Sequence, residues 1–105
     1  MSKANNYTLQ FSASVSKTYQ KYIKNNLVLQ KAFKKTRDTI ADDPFYAGLH
    51  THKVDTIQNN DVYSSIVTGD WRIIWQFDKE TKVATILVLE LGTHSGSSQV
   101  YQNKS

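Results

Sequence analysis

The chain has 105 residues, 39% of them hydrophobic and 21% charged, enough for one domain with a modest core and too apolar for a disordered chain. It contains no cysteine, which excludes a disulfide, a thiolate nucleophile and a thiolate metal site and suits a cytoplasmic protein. The formal charge of +4 favours an anionic partner, and no apolar run approaches the roughly 20 residues of a membrane span, so no membrane partner is expected.

Residues 7–11 alternate Tyr7, Leu9 and Phe11 with Thr8 and Gln10, the pattern of a short strand. Ser12-Ala13-Ser14 supplies N-cap candidates. Val15, Tyr19, Tyr22 and Ile23 then fall at helical spacing, with Lys17, Lys21 and Lys24 opposite. Asn25-Asn26 breaks this helix and can cap a second one, whose buried stripe is Leu29, Phe33, Thr36 and Ile40. The second helix ends before Asp42-Asp43-Pro44, because the residue ahead of a proline is biased out of the helical region. Residues 45–48 read as a connection, 49–54 as a weakly alternating strand and 56–60 as a polar turn. Val62, Tyr63, Ile66 and Val67 give residues 61–68 strand composition, and Gly69-Asp70 signals a hairpin. From there Trp71, Ile73, Trp75 and Phe77 alternate with Arg72, Ile74 and Gln76, the first set facing a core. A polar turn at 78–82 leads to the most apolar segment, 83–91, which reads as the central strand. Gly92 ends it, residues 95–98 are loop, and 99–101 suit a last short strand. The expected architecture is α+β: an N-terminal strand and a helical hairpin packed on one face of an antiparallel β-sheet meander. It forms one domain over residues 1–105, with 7–101 as the folded core.

An arginine in mid-strand is costly unless it reaches water or an anion. Arg72 therefore binds a phosphate and stabilises transition-state charge, or pairs with Glu90 or Asp70, or reaches solvent. His94 follows the central strand and falls at the Arg72 end of the sheet. There it acts as general acid or base, or bonds to backbone. His50 and His52 share a face if both lie on a strand. With Lys53 and His94 they make a basic, titratable rim for a phosphate. With His94 they also make a three-histidine zinc set, but one lacking carboxylates to orient its rings. Tyr101 stacks on a base, moves a proton or packs on the sheet edge. Lys17, Lys21, Lys24, Lys31, Lys34 and Lys35 form a solvated face, with contact to structured RNA as the alternative. No phosphate-binding glycine loop, serine-hydrolase elbow, His-Glu-x-x-His motif, zinc finger or dinucleotide fingerprint occurs, so no cofactor and no metal are expected.

Asp43-Pro44, Gly48-Leu49-His50-Thr51-His52-Lys53-Val54, Gly69 to Trp75 and Leu91 to Ser95 together resemble the RelE/ParE superfamily of bacterial type II toxins. The resemblance spans almost the whole chain, and the order and spacing of the motifs carry it. It implies a small α+β domain that binds in the ribosomal A site and cuts mRNA without a metal. It also implies a cognate, acidic antitoxin that wraps and silences the toxin. By the same resemblance, Arg72 matches the arginine on the scissile phosphate and Tyr101 a C-terminal catalytic tyrosine. His94 matches a catalytic histidine of the YafQ branch, and His52 and Asp70 fit positions of that branch. His50 and Lys53 join Asp70 as candidate RNA and phosphate contacts. Two lysines of RelE are replaced at Tyr63 and Ser65, and a second YafQ histidine at Ile66. The implied function is a ribosome-dependent endoribonuclease toxin, a monomer or weak dimer alone and a hetero-oligomer with its antitoxin. The alternatives are a ParE-like gyrase inhibitor without RNase activity and a non-catalytic basic binding module.

Overall fold

The structure, a computed structural model, describes residues 6–80 and 84–93. A five-stranded sheet runs in the order β1-β5-β4-β3-β2, with β1 at Thr8–Phe11, β2 at His52–Val54, β3 at Val62–Ile66, β4 at Trp71–Asp78 and β5 at Thr85–Thr93. The architecture is α+β as expected, but the sheet is mixed. β1 lies parallel to β5, Thr8 opposite Thr85 and Phe11 opposite Val88, while the other pairs are antiparallel. β4 is therefore the central strand, and β5 is flanked by β1 and β4. The strand expected over 49–54 shrinks to His52–Val54, because residues Ala47–Leu49 form a short 3-10 turn that His50 ends in the left-handed region at φ 49°.

Helix α1 (Ala13–Thr18) continues into a π-helical turn, Tyr19–Ile23, closed by Lys24 N–H donating to the Tyr19 carbonyl at 2.9 Å. The wider turn carries Ile23 into the core and leaves Tyr22 at the rim, its ring 5.6 Å from that of Trp71. Asn26 caps helix α2 (Leu27–Asp42) by accepting from Leu29 N–H, and Phe33, Thr36, Ile40 and Ala41 are its buried residues. Both helices cover one sheet face. Val15, Ile23, Phe33 and Ile40 pack there with Ile73, Trp75, Ile86, Val88 and Leu91.

Val88 and Leu91 both enter this core although they are three apart, which a regular strand forbids. A bulge resolves the conflict. Ile74 lies opposite Glu90 but Trp75 opposite Val88, so Leu89 is the extra residue of β5. The bulge turns Leu89 toward the other face, where it packs with Val62, Ile74 and Val54. Ser12 uses it too: its Oγ donates to the Leu89 carbonyl at 2.6 Å and accepts from Val15 N–H at 3.2 Å, capping α1 and tying it to the sheet. Ser12→Ala is expected to cost about 1–2 kcal/mol, read as a lower urea midpoint with an unchanged m-value.

Candidate phosphate-binding site

The β3–β4 connection fixes Arg72. Thr68 Oγ1 accepts from the N–H groups of Asp70 and Trp71 at 3.4 and 3.1 Å, and the N–H groups of Val67 and Thr68 donate to the Trp71 carbonyl at 2.9 and 3.2 Å. The hairpin signalled by Gly69-Asp70 forms between β3 and β4, and since neither residue lies in the left-handed region a two-residue turn needs, its connection is a wider loop, 67–71, braced by the Thr68 hydroxyl. Arg72 Nη1 donates to the carbonyls of Thr68, Gly69 and Trp71 at 2.8, 3.1 and 3.2 Å. The half-buried guanidinium is thus held by its own loop. Among the described residues it forms no ion pair with Asp70 or Glu90, and its Nε and Nη2 donate to no protein group. Asp70 is exposed in the loop beside it.

Register places Arg72 on the face away from the helices, opposite Ile66 of β3 and Gly92 of β5. His52 lies opposite Ser64, on the same face, about 12 Å from Arg72 between Cα atoms by ordinary sheet spacings. His52 Nδ1 sits 2.9 Å from the His50 carbonyl. A carbonyl only accepts, so that contact puts the proton on Nδ1 and leaves Nε2 an exposed base.

Three expectations fail on geometry. His50 and His52 do not share a strand face, because His50 sits in the left-handed cap before β2. Lys53 points to the opposite side from Arg72: it lies opposite Tyr63, with Nζ 5.9 Å from that ring. The expected basic rim of His50, His52, Lys53 and His94 around one phosphate therefore does not form from all four, since Lys53 faces the other side of the sheet. Among the described residues no group of three His, Cys, Asp or Glu is placed to hold a metal ion. His94 and Tyr101, and the loop and strand expected over 95–101, lie outside the described residues. The last described residue of β5, Thr93, lies opposite Trp71, next to Arg72.

Glu90 is not the partner of Arg72 that its charge and position in the sequence suggest. It is instead 4% exposed, and its Oε2 accepts from Thr56 Oγ1 at 2.5 Å and Asn59 Nδ2 at 2.6 Å. The β2–β3 loop folds against the sheet face away from the helices to make these bonds. The loop is itself closed by Thr56 N–H donating to the Asn59 carbonyl at 2.6 Å and Asp61 N–H to Asp55 Oδ1 at 2.9 Å. The only sequence signal was a carboxylate inside the most apolar stretch of the chain.

No protein-family model and no curated protein matches the chain. Solved structures do. A YoeB/ParE toxin from Agrobacterium tumefaciens superposes with a TM-score of 0.68 at 11% identity, over 84% of this chain and 99% of that one. The YoeB-YefM complex from Staphylococcus aureus gives 0.62 at 15% identity, over 81% and 93%. The E. coli DinJ-YafQ toxin-antitoxin complex gives 0.59 at 17% identity, over 85% and 93%. The chain has the RelE/ParE-like toxin fold.

Within this RelE/ParE-like fold the missing lysines take on a different meaning. Tyr63 stacks on Trp75 at 4.7 Å and Ser65 accepts from Trp75 Nε1 at 2.9 Å, so both side chains face the helices, not Arg72. The β3 residues that share the Arg72 face are Val62, Ser64 and Ile66, all uncharged. Arg72 is the one permanent cation of the described strand residues on that face.

Proposed function

We propose that the chain is the toxin of a type II toxin-antitoxin system and an endoribonuclease that cuts mRNA on the ribosome. The observation that carries this reading is Arg72: a half-buried guanidinium anchored through Nη1 to its own loop, with Nε and Nη2 bonded to no group of the described residues, on the sheet face away from the helices. Two parallel donors suit the paired oxygens of a phosphodiester. In the reaction the 2′-oxygen bonds to the adjacent phosphorus and the bond from phosphorus to the 5′-oxygen breaks. His94 takes the 2′ proton or returns one to the leaving oxygen, with His52 Nε2 as the second candidate base. Arg72 stabilises the charge that builds on the phosphate. Tyr101 is the remaining candidate proton carrier, and Asp70 orients a histidine or the RNA.

Charge supports an acidic antitoxin as the partner. The first 37 residues hold eight of the 13 Lys and Arg and none of the nine Asp and Glu. Between Lys24 and Lys31, Leu27 and Val28 are 64% and 74% exposed, apolar contacts within that basic surface.

A gyrase-inhibiting toxin is the second reading, favoured by Arg72 being the one permanent cation among the described strand residues of its face. Inducing the gene without its neighbours separates the two. The endoribonuclease is expected to arrest growth with fragmented transcripts and no DNA-damage response. Intact transcripts with an induced DNA-damage response would establish the gyrase reading instead.

A further inference from the structure

Arg72 and Glu90 carry opposite charges at diagonal positions of the same sheet face, Arg72 opposite Gly92 and Ile74 opposite Glu90. Such neighbours have Cβ atoms roughly 7 Å apart, well within reach of two long side chains. Yet no ion pair joins them. Each is held by neutral groups instead: Arg72 by three loop carbonyls, and Glu90 by Thr56 Oγ1 and Asn59 Nδ2.

We infer that Thr56 and Asn59 are positioning residues that sequester Glu90 and so keep the Arg72 guanidinium available to a phosphate. An unsequestered carboxylate beside Arg72 would fill the donors that a phosphate needs and repel the incoming anion. Two short hydrogen bonds hold Glu90 under the loop, and Thr56 itself is 1% exposed, so the loop keeps water and Arg72 from the carboxylate together. This rests on the reading of Arg72 as the phosphate ligand.

The test titrates the full chain with inorganic phosphate and follows the Arg72 Nε–Hε resonance. Thr56→Val/Asn59→Ala releases Glu90. It is expected to weaken phosphate binding about tenfold, the worth of a charge-assisted hydrogen bond, and to shift the Arg72 resonance before phosphate is added. Adding Glu90→Gln removes the competing charge and should restore affinity to within about twofold of the parent. Damage to the loop alone would not be repaired by that third change. If the double variant does not fold, Asn59→Ala with and without Glu90→Gln gives the same order with a smaller loss. Parent-like binding in the released variant, or no recovery on adding Glu90→Gln, overturns the inference. RNA cleavage in cells is a separate readout: an uncleaved transcriptome with phosphate results as expected would remove the endoribonuclease reading and leave the sequestration standing.

Discussion

Arg72→Ala is expected to abolish growth arrest and slow RNA cleavage by a hundredfold or more, about 3 kcal/mol of transition-state stabilisation. The side chain's described hydrogen bonds run only to carbonyls of its own loop, and those carbonyls can be solvated once it is gone. Folding stability should therefore fall little, and antitoxin binding should survive. Arg72→Lys keeps the charge but offers a single ammonium where two parallel donors are needed, so it is expected to remain at least tenfold impaired. The comparison is made on purified proteins with matched thermal unfolding, measuring cleavage rate. Full activity in Arg72→Ala would show that the guanidinium takes no part.

Trp75→Ala is expected to be the most destabilising single change, about 3–5 kcal/mol, a large fraction of a small domain's stability. Trp75 is fully buried, stacks on Tyr63 at 4.7 Å and meets Phe77 edge-on at 5.1 Å. It also starts a hydrogen-bond chain. Nε1–H donates to Ser65 Oγ at 2.9 Å, Ser65 Oγ lies 2.7 Å from Thr51 Oγ1, and Thr51 donates to the Pro44 carbonyl at 2.8 Å. Since the Pro44 carbonyl only accepts, the proton between the two hydroxyls comes from Ser65. Truncation leaves a cavity and removes the donor at the head of this chain, loosening the segment that leads into β2. Trp75→Phe keeps most of the volume and loses the bond, so it should cost about 1–2 kcal/mol. Trp71 remains as the fluorescent probe in urea titrations of either variant. A Trp75→Ala midpoint close to the parent's would contradict the packing described here.

The elements that sequence made legible are those whose chemistry repeats. β4 alternates because one face meets the helices, and Phe33, Thr36 and Ile40 repeat because α2 lies on that face. The parallel pairing of β1 was not legible, since a five-residue alternation states a candidate core face but neither a neighbour nor a direction. β5 reads as 83–91 in the sequence and runs Thr85–Thr93 in the structure, where the bulge at Leu89 breaks its period and sends Leu89 to the face away from the helices. At the site, the position of Arg72 on the face opposite Trp71, Ile73 and Trp75 followed from alternation. The sidedness of His50 and Lys53 did not, because the left-handed turn at His50 resets the phase of β2. The Thr56, Asn59 and Glu90 cluster joins residues more than thirty positions apart in a loop without periodicity, so only the folded chain brings it together.

The central claim is that Arg72 serves phosphodiester cleavage, and the chemistry of RNA ends after induction tests it most directly. Attack by the 2′-oxygen leaves a 2′,3′-cyclic phosphate on one fragment and a 5′-hydroxyl on the other. The account predicts that 5′-hydroxyl ends accumulate within coding regions in cells expressing the parent chain and not in cells expressing Arg72→Ala at the same protein level. New ends that appear equally with both proteins, or none with either while growth still stops, would contradict it.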